Sequence, residues 1–130
     1  MRSVTLYDTT LRDGSQREGI SFSVADKLKI ARKLDDFGLH YIEGGWPGAN
    51  PKDTEFFKLA SSLKFIQAKL TAFGSTRKAN TLAGADHGLN TLAICGAQII
   101  TLVAKSSASQ VEKVLGTTLS ENLAMISDSI

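Results

Sequence analysis

The chain has 130 residues, enough for one modest domain, and its 42% hydrophobic and 22% charged residues are ordinary for a globular protein. A net charge of +2, with no Lys/Arg cluster interleaved with aromatics, argues against a nucleic-acid partner, and no run approaches the ~18 apolar residues of a membrane span. The N-terminus carries no signal-type apolar segment, and Cys95 stands alone, which removes a disulfide framework and points to a reducing cytoplasm.

Residues 3–7 read as a first strand that ends at a charge-dense loop, Asp8 to Gly19 (DTTLRDGSQREG), in which Asp8, Arg12, Asp13, Arg17 and Glu18 ionise. Both charge signs in one turn cost desolvation unless they pair or bind something. Arg12 beside Asp13 offers a fixed cation next to a hard oxygen ligand, suited to a divalent metal and to a developing oxyanion. On its own the run is equally readable as a solvated charged turn. Ser23 and Asp26 make a capping-box start, and Ala25, Leu28, Ala31, Leu34 and Phe37 recur at helical spacing. This predicts a helix over 24–37, with Gly38 at its C′ position.

Leu39 to Glu43 reads as strand two, leading into Gly44, Gly45, Trp46, Pro47 and Gly48. The glycines permit a tight exit with close backbone approach, although GGWPG by itself is more often a turn than a site. It is not a Walker loop, because no Lys-Ser/Thr follows at the required position. Asn50 as N-cap, Pro51 at N1 and Asp53 in the first turn open a helix whose buried face is Phe56, Phe57, Ala60 and Leu63. Lys69 to Phe73 is a third strand ending at Gly74, and 75–84 carries no clear pattern. Arg77, after the third strand, is read as a solvated surface cation in preference to a carboxylate partner. A weak helix around Leu89, Leu92 and Ala93 closes at Gly96, and Cys95 reads as a small core residue. Gln98 to Ala104 (QIITLVA) is apolar and β-branched enough for a strand buried on both faces. A short helix is expected over 109–115, and Thr118 with Glu121 forms a second capping box opening a terminal helix through Leu123 and Ile126.

Strand starts near 4, 39, 69 and 98 give the thirty-residue period of repeated βα units. Right-handed crossovers would bring all strand exits to one face, so Asp13 and Glu43 are expected in a common cleft.

DTTLRDGSQ resembles the opening motif of the acyl-CoA condensing enzymes and lyases built on a TIM barrel: isopropylmalate, homocitrate and citramalate synthases and their relatives. Tyr41 to Asp53 (YIEGGWPGANPKD) is similar to the citramalate branch in particular. The resemblance implies an α/β fold, about four βα units forming the N-terminal half of a (β/α)8 barrel, since a complete barrel needs roughly 250 residues. Residues 1–130 are then a partial catalytic domain, with the other half-barrel and any regulatory domain outside the chain.

The implied reaction is a Claisen-type condensation of acetyl-CoA with a 2-keto acid, pyruvate in the citramalate branch of isoleucine biosynthesis. A divalent metal (Mg, Mn or Zn) would assist it, and the full-length enzyme would be a cytoplasmic homodimer. Asp13 matches the family's aspartate metal ligand and Arg12 the arginine that stabilises charge on the keto or enolate oxygen. Gln16 would face the acetyl or thioester group, and Glu43 matches a strand-two glutamate that reaches the reacting centre. Asp8 has a structural alternative, accepting N–H groups within its own loop.

Two departures accompany the resemblance. The family's His-x-His metal pair is absent, and His40 and His87 stand singly. Lys105-Ser106 continues as Ser107-Ala108-Ser109, where the citramalate group commonly places an aromatic and an acid, which leaves an isopropylmalate synthase-like enzyme with a larger keto acid as an alternative. The other alternative is a non-catalytic truncated fragment.

Overall fold

A computed structural model describes residues 3–130. Four strands, β1 (Tyr7–Asp8), β2 (Tyr41–Gly45), β3 (Lys69–Ser75) and β4 (Ile99–Val103), form one parallel sheet in the order β1-β2-β3-β4. This is the sequential parallel order the thirty-residue period predicts. Strand one is shorter than 3–7, because only β2 lies beside it and the ladder begins where Tyr7 meets Tyr41. Just before that point Leu6 is already tied to β2: its carbonyl accepts from the His40 and Tyr41 N–H groups, and its own N–H donates to His40 Nδ1. His40 is therefore a structural acceptor, as a lone histidine would be.

Helix α1 (Val24–Asp36) has the capping box its sequence specifies, with Ser23 Oγ accepting from Asp26 N–H and the Asp26 carboxylate accepting from Ser23 N–H. Gly38, at φ 97°, ends it. Helix α2 (Pro51–Ala60) is capped by Asn50 and buries Phe56, Phe57 and Ala60 completely or nearly so, while Leu63 falls beyond its end. Helix α3 (His87–Ile94) starts on Asp86, which accepts from Leu89 N–H. After β4 a short α4 (Ala108–Gln110) runs into a wider π turn, Val111–Leu115, and α5 (Leu119–Ser129) closes the described chain.

Alternation along the strands sorts the two faces. Ile42, Leu70, Ala72 and Leu102 join Leu11, Ala31, Phe56, Phe57, Ala60 and Leu92 in one core beneath the helices. The opposite face carries Tyr7, Glu43, Thr71, Phe73 and Thr101, related by the registers Glu43↔Thr71 and Phe73↔Thr101. Between Glu43 and Gly45 the β2–β3 register slips by one residue. That bulge falls where helix and strand approach most closely: a Cβ on Gly44 would collide with the Phe56 ring, and one on Gly45 with the Asp53 carboxylate.

Strand β4 corrects the expectation of burial on both faces. Val103, on the same face as Thr101, is 40% exposed. On the opposite face Ile100 is 43% exposed, because α3 packs on β3 and leaves the helix side of β4 uncovered. A groove of about 550 Å³ lies there, lined by Leu89, Leu92, Ile100, Leu102 and Ile130 among others. No helix of the described residues is long and apolar enough to cross a membrane.

Loops are tied down by carboxylates that accept backbone N–H groups. Asp35 takes three, from Ile66 (2.6 Å), Gln67 (3.0 Å) and Ala68 (2.8 Å), at the entry to β3. Burial opposes its ionisation, but the three donors outweigh burial and hold its pKa below the ordinary 3.8. Asp86 behaves alike, opposed by burial and lowered chiefly by the N–H groups of Leu89 and Lys78.

A carboxylate with a depressed folded-state pKa stabilises the fold fully above its unfolded value and loses that contribution as pH falls through the folded one. The Asp35→Asn variant should therefore be less stable than the parent near neutrality, and the difference should shrink as pH falls below about 3.8. Urea titrations across that range check this. The uncovered side of β4 also predicts self-association: the purified chain should elute larger than its 13.9 kDa mass, and Ile100→Lys should shift it toward the monomer. Analytical gel filtration reads both.

Candidate active site

The loop that follows β1 folds back on its own side chains. Asp8 accepts from Thr10 N–H and from Thr10 Oγ1, both at 3.0 Å, which is the local structural role open to it. Ser15 Oγ donates to the Arg12 carbonyl at 2.7 Å, and Leu11 is fully buried in the core. These contacts anchor the loop from below and present Arg12 at the strand-exit end of the sheet.

Arg12 is held on three sides. Its Nε donates to Glu43 Oε1 at 2.5 Å, its guanidinium lies 4.0 Å from the Phe73 ring centre, and Nη1 is 3.4 Å from Asp13 Oδ1. A stacked, forked guanidinium of this kind is rigid. Glu43 lies inside β2 and is 2% exposed, because strand two runs two residues further than its sequence predicts. Its second oxygen accepts from the Tyr7 hydroxyl. That hydroxyl is also 2.8 Å from Thr101 Oγ1 and 3.1 Å from Thr71 Oγ1, so one network crosses all four strands.

Asp13 and Glu43 are thus linked through Arg12 at the strand-exit end of the sheet. Asp13 presents an exposed carboxylate, its side chain 64% accessible, and Gln16 sits exposed on the 3-10 turn Gly14–Gln16 beside it. The expected set is brought to one place, though Glu43 has both oxygens engaged by protein groups.

Beyond this set, Trp46 packs edge-on against Phe73 at 5.2 Å between centroids, and its backbone N–H donates to Asp53 Oδ2 at 2.9 Å. Asp53 Oδ1 in turn pairs with Lys27, whose side chain is 3% exposed. Phe73 and Trp46 border a cavity of about 550 Å³ that is also lined by Arg77, Val103, Lys105, Val114, Leu115 and Met125. Sequence reasoning passed over Tyr7, Thr71 and Thr101. Their signal was polar residues at alternating strand positions on a face opposite the aliphatic ones.

Arg77 is a correction. It is 5% exposed, with Nη1 2.7 Å from Glu121 Oε1 and Nη2 2.8 Å from Asp128 Oδ2, so it fastens the loop after β3 to α5. The same contact breaks the second capping box. Thr118 Oγ1 does accept from Glu121 N–H, but the Glu121 carboxylate turns away to Arg77 and to Asn80 N–H. His87 is exposed at the start of α3, and Cys95 is half-buried against the core, its thiol pushed up by burial.

A βα sheet whose exit face carries an arginine fixed between a buried glutamate and an aromatic ring invites comparison with known proteins, and the HMGL-like family matches residues 3–130. The chain belongs to that family. It is 60% identical over 129 residues to an (R)-citramalate synthase from Streptomyces coelicolor, and 54% identical over 127 residues to one from Aquifex aeolicus. Each match covers 98% of this chain and 24% of the relative, so the chain spans about a quarter of the length of these curated relatives.

Two solved hydroxymethylglutaryl-CoA lyases share the fold. The enzyme from Pseudomonas aeruginosa aligns with a TM-score of 0.68 at 22% identity, covering 95% of this chain and 39% of that one. That from Bacillus subtilis aligns at 0.65 and 21%, covering 95% and 40%. The four parallel βα units are the N-terminal portion of the family's TIM barrel, as the opening motif implies.

The network makes a spectroscopic prediction. Tyr7 is raised above the ordinary tyrosine value of 10.0, first by partial burial and then by donating to the Glu43 carboxylate, with the Thr101 and Thr71 contacts opposing. An ultraviolet titration should show a tyrosine ionising above pH 10.0 that disappears in Tyr7→Phe. In Glu43→Gln its pKa should fall, because a phenolate no longer forms beside a carboxylate.

Proposed function

We propose that these residues are part of the catalytic barrel of a citramalate synthase-type enzyme, which condenses acetyl-CoA with pyruvate and releases citramalate and CoA. The observation that carries this reading is Arg12, immobilised by Glu43 and Phe73 at the strand-exit face with Asp13 next to it. The citramalate synthase relatives, similar over nearly the whole chain, support the choice of reaction. Negative charge develops on oxygen when acetyl-CoA loses its methyl proton and again when the enolate attacks the keto carbon. A cation already fixed in position stabilises such charge without reorganising. Arg12 takes that role, using the guanidinium edge that Glu43 leaves free. Gln16, exposed on the turn beside Asp13, is assigned to the acetyl or thioester group.

Glu43 is assigned a narrower role than a proton relay. With Arg12 on one oxygen and Tyr7 on the other, it serves to orient Arg12. Asp13 suits a divalent ion such as Mg, Mn or Zn, but among the described residues no group of three or more His, Cys, Asp or Glu side chains could hold one. Its remaining ligands are assigned to a His-x-His pair in a longer chain. When bound, the ion supplies Lewis-acid polarisation to the keto acid. The complete enzyme is proposed to be cytoplasmic and homodimeric, with the rest of the barrel and any regulatory domain outside these 130 residues.

A second reading, an isopropylmalate synthase-like enzyme with a larger 2-keto acid, draws on one observation. The 550 Å³ cavity beside Phe73 is lined by Lys105 just after β4, and the sequence that follows it, Ser106-Ser107-Ala108, supplies no aromatic or acid. The test is CoA release by a complete chain carrying these residues, with divalent metal and either pyruvate or 2-oxoisovalerate. Preference for pyruvate is expected, and preference for the branched acid would install the second reading. Arg12→Ala should lower turnover about one hundred- to one thousand-fold, as loss of one preorganised oxyanion donor does. Asp13→Ala should weaken metal affinity and activity together. Parental rates in both variants would remove this loop from the chemistry.

A further inference from the structure

Glu43 is nearly inaccessible and paired with the Arg12 guanidinium, and a carboxylate in such a pair only accepts, so the proton in its contact with Tyr7 comes from the phenol. A phenol has one proton. Once it is committed to Glu43, the Tyr7 oxygen can only accept from Thr71 Oγ1 at 3.1 Å and from Thr101 Oγ1 at 2.8 Å. The network is therefore directional: the hydroxyls of β3 and β4 donate to Tyr7, Tyr7 donates to Glu43 Oε2, and Glu43 Oε1 accepts from Arg12 Nε. Both carboxylate oxygens are pinned, and the plane of the carboxylate is set. The Nε–Oε1 contact and the Phe73 ring then leave the guanidinium one orientation.

We propose that Tyr7 is a positioning residue for Arg12, acting through Glu43. Its hydroxyl fixes the carboxylate plane, and that plane holds the guanidinium over Phe73 with its outer edge toward the reacting oxygen. This deepens the condensing-enzyme reading above and rests on it for Arg12's role. Without the Tyr7 hydroxyl, Glu43 Oε2 is a buried carboxylate oxygen with no donor. Rotation to find one withdraws the partner of Arg12 Nε.

Tyr7→Phe removes one oxygen and keeps the ring that stacks 6.1 Å from Tyr41. In the complete chain, with acetyl-CoA, pyruvate and divalent metal, it should lower kcat about tenfold while both KM values stay within about twofold. That split marks an interaction used in the transition state rather than in substrate binding. The loss should vanish in a Glu43→Ala background, where no carboxylate is left to orient. Thr101→Val, which removes one donor to Tyr7, should lose about threefold in the same pattern and carries the test if Tyr7→Phe does not fold.

A crystal structure of the variant should show Arg12 displaced from Phe73. Parental kcat, or an equal loss with and without Glu43, would overturn the proposal. If the parent chain releases no CoA with either keto acid, the reaction assignment falls. The place of Arg12 in the Tyr7→Phe structure then decides the role of Tyr7 by itself: an unmoved guanidinium overturns it, and a displaced one supports it.

Discussion

A carboxylate buried to 2% exposure must find its compensation inside the protein, and the rest of the exit face is arranged around the compensation Glu43 finds. Its two oxygens take one donor from the loop after β1 and one from the strand before that loop, so a single side chain on β2 joins both ends of the turn. The loop then needs no interior of its own. It is fastened through Arg12 above and Leu11 below, and Asp13 and Gln16 are left facing outward. Removing either partner would strand a charge out of water, which makes this pair costlier to break than its net contribution to stability implies.

The neighbouring loops are held by the same chemistry, one layer further out. Asp53 accepts from Lys27 and from the Trp46 backbone N–H, and so sets the indole that packs on Phe73, the ring beneath Arg12. Asp86 and Glu121 accept from Lys78 and Asn80 N–H groups in the stretch after β3, and Arg77 closes that stretch against α5. Each carboxylate serves a charged partner, an orphan backbone donor or both. Irregular loops without a hydrophobic interior are thereby kept in a single conformation.

This arrangement explains what could be read in the chain beforehand. Helix starts were legible because capping is local: Ser23 with Asp26, and Asn50 with Pro51, specify their own turn. The strand period was legible because the chain alternates apolar runs with helices, and the gathering of Arg12, Asp13 and Glu43 followed from the topology and the opening motif. What escaped was set by partners far away in sequence. Arg77 reads as a surface cation until α5, forty-odd residues later, brings Glu121 and Asp128 beside it, and Glu121 leaves its expected reciprocal cap for that contact. Strand β4 reads as doubly buried from its composition, but burial depends on which helix covers it, and α3 lies over β3 instead.

The single extra residue in β2 has a consequence that reaches beyond local fit. Side chains along a strand keep a parity, odd positions to one side and even to the other. Counting on from Glu43 opposite Thr71, an uninterrupted ladder would set Gly44 beside Ala72 and send Trp46 to the helix side with Gly74. The bulge sets Gly45 beside Ala72 instead, so parity inverts and Trp46 lands on the side of Phe73, where the two rings meet. The paired glycines thus act as a phase inverter between a segment that buries Ile42 beneath the helices and one that delivers an indole to the cleft. Insertions or deletions here should be tolerated by evolution only in even numbers, since an odd change would return the indole to the crowded helix side.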